Sequence, residues 1–231
     1  MTGTLVNVLL IVAGSLVGLI FRSRIKQKMT DALISVMGLA VLVTGISGAV
    51  KTNDLLCMIV SLALGTFAGE CLNIEAKLER FGGFLHKIFK RFDKKNESRF
   101  TEGFVSATLL FCVGAMAVMG SLEAGINHNY GILFSKGIID GVTSVAFAAA
   151  MGIGVMFSAL TVGLYQGGLT LLSVWAAPFL SPETVLEMSA AGSVVIIGIA
   201  VNMLGLSKEK LRVGNMLPAI FIPLVYLPLA A

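Results

Sequence analysis

Lysine and arginine are confined almost entirely to three short stretches that interrupt long apolar runs. No other feature constrains the fold as tightly. Arg22, Arg24, Lys26 and Lys28 make the first stretch. Lys77, Arg80, Lys87, Lys90, Arg91, Lys94, Lys95 and Arg99 make the second, and Lys208, Lys210 and Arg212 the third; only Lys51 and Lys136 fall elsewhere. Loops rich in Lys and Arg stay on the cytoplasmic side of a membrane. Placing all three stretches on one face requires an even number of crossings between them. A soluble domain carries roughly 25% charged residues, whereas this chain is 13% charged and 56% hydrophobic. The class that follows is an all-α integral membrane protein, a polytopic bundle of about eight transmembrane helices at roughly 20 residues per crossing. Residues 1–231 then form a single membrane domain, with little left for a soluble one.

The net charge of +4 reflects this topology rather than affinity for nucleic acid, and no nucleic-acid partner is expected. Cys57, Cys71 and Cys112 sit in apolar runs without metal-ligand spacing. Their odd number argues against a disulfide framework, so they read as small packing residues. The first 21 residues are apolar and the basic stretch follows them, the reverse of a cleaved secretory signal. An uncleaved first helix with its N-terminus outside is expected.

The crossings are placed at about Gly3 to Phe21, Ala32 to Val50, Leu55 to Leu72, Phe104 to Leu122, two within Gly131 to Leu180, Glu187 to Leu206, and Asn215 to the C-terminus. Lys51–Asp54, Glu123–Tyr130 and Ser181-Pro182-Glu183 become external turns. The stretch 131–180 is too long for one crossing, and a split near Phe157–Ala159 divides it. Seven crossings plus a re-entrant segment is the alternative. Pro218, Pro223 and Pro228 require the last segment to be kinked or partly unwound. Both termini then lie outside.

Residues 73–100 carry Ile74, Leu78, Phe81, Leu85, Ile88, Phe89 and Phe92 at three- and four-residue steps, with basic side chains opposite. This pattern predicts an amphipathic helix on the inner leaflet, in contact with membrane lipid, or a helix that binds a partner. A repeat is also visible. Gly14-Ser15-Leu16-Val17-Gly18 matches Gly65-Thr66-Phe67-Ala68-Gly69, and Gly38-Leu39-Ala40-Val41 matches Gly114-Ala115-Met116-Ala117. Helical hairpins repeated in parallel orientation would explain both, as would small residues that simply let helices touch.

Polar groups in hydrocarbon need a reason, since a central Lys or Asp costs about 2.5–3.5 kcal/mol on insertion scales. Lys136 and Asp140 lie four residues apart, on one helix face. Asp140 falls roughly 13 Å along a helix that starts near Gly131, at 1.5 Å per residue, and is expected to be the only deep carboxylate. With Thr143 and Ser144 it forms the first candidate for a cation, proton or solute site; an intrahelical ion pair that holds the bundle together is the other reading. Tyr165-Gln166-Gly167-Gly168 is the second candidate, because paired glycines would weaken the helix mid-span and expose carbonyls beside the Gln166 amide. Glu70, at the end of the third helix, is a possible gate or relay or a solvated surface group. Asn7 and Asn202 each need a hydrogen-bond partner and read as interhelical glue or as groups that touch solute. His128 has no pairing partner in the pattern, and the Met residues are scattered, so no metal site is expected.

No phosphate-binding glycine loop, His-Glu-x-x-His or nucleophile elbow is present. An enzyme is therefore not expected, nor a cofactor.

Phe111-Cys112-Val113-Gly114-Ala115-Met116-Ala117 followed by Gly120-Ser121-Leu122 resembles a bacterial membrane family called domain of unknown function 554. So do Lys136 through Asp140-Gly141-Val142-Thr143-Ser144, Gly152-Ile153-Gly154-Val155, Leu164-Tyr165-Gln166-Gly167 and the opening Gly3-Thr4-Leu5-Val6-Asn7. The resemblance implies a protein of the bacterial inner (plasma) membrane and supplies no catalytic residues. The expectation is a small secondary transporter or channel for a small polar or ionic solute. Homodimers are expected, with the Gly-x-x-x-Gly faces offering a contact. The alternative is a non-transporting scaffold or sensor subunit that acts through residues 73–100.

Overall fold

Small and polar residues recur every three or four positions along the apolar segments, and this spacing fixes how the helices lie. In the computed structural model, which describes residues 1–22, 27–88, 97–112, 115–176, 178 and 180–230, every regular element is helical. The order is α1 (Thr2–Arg22), α2 (Gln27–Ala49), α3 (Leu55–Leu72), α4 (Ile74–Ile88), α5 (Glu97–Cys112), α6 (Ala115–Ile126), α7 (Gly131–Met151), α8 (Gly154–Ala176), α9 (Pro182–Leu204), the 3-10 helix η1 (Val213–Phe221) and α10 (Pro223–Ala230). The protein is an all-α polytopic membrane protein. Six of the described helices are long and apolar enough to cross a bilayer. A seventh crossing is available if Arg99–Cys112 and Met116–Ile126, bent by 59°, form one span. The eighth expected segment is the shorter apolar stretch Val213–Leu229, in which Pro218 lies within η1 and Pro223 opens α10.

Several boundaries differ from the sequence expectation. The division of 131–180 falls at Gly152–Gly154, not at Phe157–Ala159. Gly152 adopts φ +95°, a conformation that L side chains rarely enter, and so ends α7. The last long crossing begins at Pro182 rather than Glu187, because Ser181 caps it, its Oγ accepting from the Thr184 N–H at 3.2 Å. Residues 73–100 hold the predicted amphipathic helix as α4, while α5 already starts at Glu97. Phe89 and Phe92 lie outside the described residues, as do the side chains of Leu78, Leu85 and Ile88. The expected break at Gly167-Gly168 does not occur, since α8 runs through both. Two helical glycines cost about 1 kcal/mol each, less than backbone groups left without partners in hydrocarbon.

The packing divides the chain into two compact units. Unit 1 draws on Met1–Met37, Glu79–Cys112 and Met116–Val174; unit 2 is built chiefly from Gly38–Leu78 and Trp175–Ala231. In unit 1, α1 turns Thr4, Asn7, Ile11, Ser15 and Gly18 inward while Leu5, Leu9, Leu16 and Ile20 stay exposed. This reverses a soluble helix, as expected where lipid is as apolar as leucine and helices associate through close packing and hydrogen bonds. A Cβ on Gly3 would meet Leu133, one on Gly14 the carbonyl oxygen of Gly141, and one on Gly18 the carbonyl oxygen of Val145. The matched order shows that α1 and α7 run parallel at backbone contact. α8 runs antiparallel to α1, with Gly163 against Val8 and Gly167 against Met1. Phe100, Phe104, Phe111 and Phe147 fill the rest of the interior.

Unit 2 uses the same chemistry in another arrangement. α3 buries Cys57, Ser61, Gly65 and Gly69, and the last two press on Ala219 and Asn215 of η1 in antiparallel order. The two matching glycine motifs therefore contact partners of opposite direction. Gly18, Gly65 and Gly69 are buried and Gly14 is half-buried against α7, so these glycines are engaged within the chain rather than offered as a dimer contact.

Replacing Gly14 with Val should push α1 from α7 and lower stability by about 1–3 kcal/mol. Gly168→Ala, with no neighbour within 4 Å of the added carbon, should leave stability unchanged or raise it. Thermal unfolding of both variants in detergent, followed by monodispersity on gel filtration, checks this.

Candidate functional site

The backbone contact between α1 and α7 brings three helices' polar side chains to one level of unit 1. Gly137 is the local cause. A Cβ there would lie 3.1 Å from the Cα of Asn7, so its absence lets α1 approach the face that carries Lys136 and Asp140. Lys136 Nζ pairs with Asp140 Oδ2 across one helical turn, and both residues are buried, at 5% and 6% exposure. Asn7 Nδ2 donates to Asp140 Oδ2 at 3.1 Å and to Gln166 Oε1 of α8 at 3.1 Å. Asn7 and Gln166 are fully buried. Cys112, at the end of α5, lies within electrostatic reach of Lys136 and Asp140, and Tyr165 within reach of Cys112.

The pair of opposite charges makes the cluster neutral overall, which offsets the cost of holding either charge in hydrocarbon. Its hydrogen-bonding capacity is not exhausted. Asn7 Oδ1 and Gln166 Nε2 have no hydrogen-bond partner among the described residues, and neither do the buried hydroxyls of Thr4 and Thr170. Burying such a group without a partner costs about 1–3 kcal/mol. Sequence reasoning missed Thr4 and Thr170. The available signal was their position one turn from Asn7 on α1 and from Gln166 on α8.

The structure thus unites Lys136, Asp140, Gln166 and Asn7. The remaining candidates lie outside this hydrogen-bonded set. Ser144 Oγ donates to the Asp140 backbone carbonyl at 2.7 Å, satisfying itself within α7. Thr143 is half-buried and outside the hydrogen-bonded cluster. Gly167 and Gly168 are ordinary helical positions of α8. Glu70 and Asn202 belong to unit 2. Glu70 is exposed and pairs with Arg212 at 3.3 Å. Asn202 donates to the Leu211 carbonyl and accepts from the Leu211 N–H, both at 2.8 Å, and so ties down the loop after α9. Among the described residues, no three His, Cys, Asp or Glu side chains converge as a metal cluster.

A second carboxylate is buried, near the start of α9 and beside the turn at residues 52–54. Glu187 of α9 is 2% exposed. Its Oε1 accepts from the backbone N–H groups of Asn53 at 2.7 Å and Asp54 at 3.2 Å, and its Oε2 from the Thr52 hydroxyl. The spacing of Glu187 gave no hint of this, because its partners lie more than 130 residues away.

The sequence profile of the family described as "Protein of unknown function (DUF554)" matches residues 2–227. The chain is similar to "Uncharacterized membrane protein YdfK" of Bacillus subtilis (strain 168), with 31% identity over 227 residues that cover 96% of this chain and 94% of that protein. It is also similar to "Uncharacterized protein YqgA" of Escherichia coli (strain K12), with 28% identity over 235 residues that cover 99% and 96% of the two chains. No solved structure matches it.

Lys136→Met should strand the Asp140 charge and destabilise the protein by about 3–5 kcal/mol. The double change Lys136→Met with Asp140→Asn should recover most of that loss. Thermal unfolding of the two single variants and the double variant in detergent measures the coupling.

Proposed function

The chain belongs to the DUF554 family, and from that premise and its own geometry we propose that it is a small secondary transporter or channel for a small polar or ionic solute. The observation that carries this reading is the buried cluster of Lys136, Asp140, Asn7 and Gln166. An ion pair that merely held α7 together would need no further partners. Here the Asn7 amide of α1 donates to it and links it to the Gln166 amide of α8, and each amide keeps an atom that no described side chain satisfies. Buried polar groups in a spanning helix are costly, and a solute path is the common reason for keeping them. In this reading Asp140 binds the solute or a coupling ion, Asn7 and Gln166 orient it, and Lys136 tunes the carboxylate.

The remaining topology follows from charge. The basic stretches face the cytoplasm of a bacterial plasma membrane and both termini face outward, as their Lys and Arg content favours. The expected homodimer then forms on faces other than the glycine stripes.

One observation favours a second reading, a scaffold or sensor subunit acting through α4. Phe81 and Phe84 are exposed on that helix together with Lys77, Arg80 and Lys87, while the Phe81 ring centroid lies 5.8 Å from that of Phe104 in α5. Such a helix suits an anionic lipid surface or a partner protein.

Reconstituted vesicles test the transport reading. Flux of a panel of alkali cations, chloride, small polyols and simple amides is measured for the native protein and for Asp140→Asn. The expected result is flux of at least one probe that the variant abolishes, with the Lys136→Met/Asp140→Asn pair as a folding control. Unchanged flux in Asp140→Asn removes the site assignment. Absence of any flux, with a protein partner lost on deletion of α4, favours the scaffold.

A further inference from the structure

We infer, building on the transport reading, that the site made by Asn7, Gln166, Thr4 and Thr170 takes a small uncharged solute that both donates and accepts hydrogen bonds, of the polyol or simple amide class, rather than a bare ion. The first support is electrostatic. Lys136 and Asp140 cancel, so an entering ion meets no net countercharge and bears its own desolvation cost. A neutral molecule avoids that cost.

The second support is the inventory of unused groups. The Asp140 carboxylate accepts only, so the face of Asn7 that meets it must be the amide nitrogen. The same nitrogen meets Gln166, which fixes the Gln166 oxygen on that side. On these two amides one acceptor remains, Asn7 Oδ1, and one donor, Gln166 Nε2; of the unpartnered hydroxyls on α1 and α8, which also include Ser15, Thr161 and Ser173, those of Thr4 and Thr170 lie one turn from the amides toward the same end and are able to do either. All four residues are more than nine-tenths buried. An ion would use acceptors alone or donors alone; this set is mixed.

The third support is register. Thr4 precedes Asn7 by three residues and Thr170 follows Gln166 by four. Because α1 and α8 are antiparallel, both hydroxyls lie one turn toward the same end, the one at which α1 begins. One turn is about 5 Å, so the four groups span a molecule of a few heavy atoms. Beside Gly167, on α8 between Gln166 and Thr170, the missing side chain's nearest neighbour is the flexible terminal methyl of Met1 at 3.6 Å. Toward the other end, α1 and α7 close on each other at Gly14 and Gly18.

Proteoliposomes carrying the full chain test this with glycerol and acetamide as neutral probes. Swelling is read by stopped-flow light scattering, and ion movement in parallel by a potential-sensitive dye with potassium, sodium and chloride gradients. The expected result is faster glycerol or acetamide entry than in empty vesicles, indifferent to an imposed membrane potential. Thr170→Val and Thr4→Val should each slow it about tenfold, one hydrogen bond lost, and Thr170→Ser should restore it. Gel filtration confirms that each variant is folded. Unchanged swelling in both Val variants overturns the inference and leaves the hydroxyls as structural groups only. Ion movement that needs Asp140, without neutral swelling, overturns it while the transport reading stands. Vesicles that pass no probe of either kind overturn both.

Discussion

Close approach of α1 and α7 is the contact on which the rest of unit 1 depends. Hydrocarbon offers no gain for pressing one apolar helix against another, so association relies on van der Waals fit and interhelical hydrogen bonds. Glycine at positions 14, 18, 137 and 141 removes the side chains that would keep the two backbones apart. The parallel register then sets Asn7 level with Asp140. Without that approach the carboxylate would have only Lys136, on its own helix, and Gln166 would have no bridge to it.

Two buried carboxylates sit in contrasting environments. Glu187 is consumed by the turn it holds, with both oxygens occupied by two main-chain N–H groups and a threonine hydroxyl. It fixes the start of α3, where Asp54 in turn caps the helix by accepting from the Cys57 N–H at 2.9 Å. Nothing in that arrangement is left over for a ligand. Asp140 shares one oxygen with a cation and an amide, and the amides around it keep unused atoms. The two are equally buried and differ in the hydrogen-bonding capacity left around them.

Much of this was legible in the chain. Period-four spacing of small residues on α1 and α3 identified the faces that would be buried, and three basic stretches delimited the apolar segments. Lys136 and Asp140 announced themselves because any charge in such a run demands a partner, and four-residue spacing supplied one. Asn7 was recognisable as an amide in need of a partner and Gln166 as part of a candidate solute site, but not as each other's partner. The glycine pair at 167–168 misled for a physical reason. Glycine destabilises a helix in water, where the freed backbone can hydrate, and much less in a setting where leaving the helix strands its amides.

Composition and spacing alone determined that the chain is helical, that it crosses a membrane several times, and where the ion pair of Lys136 and Asp140 lies. These are local properties, written in residues no more than a turn apart or in averages over a span. Tertiary structure decided which helices touch and in which direction. It set glycine motifs of the same spacing against a parallel neighbour in one unit and an antiparallel one in the other. It joined Asn7 to Asp140 and Gln166 across 133 and 159 residues. Such pairings depend on how complete helix surfaces fit one another, and no short stretch of sequence carries that information.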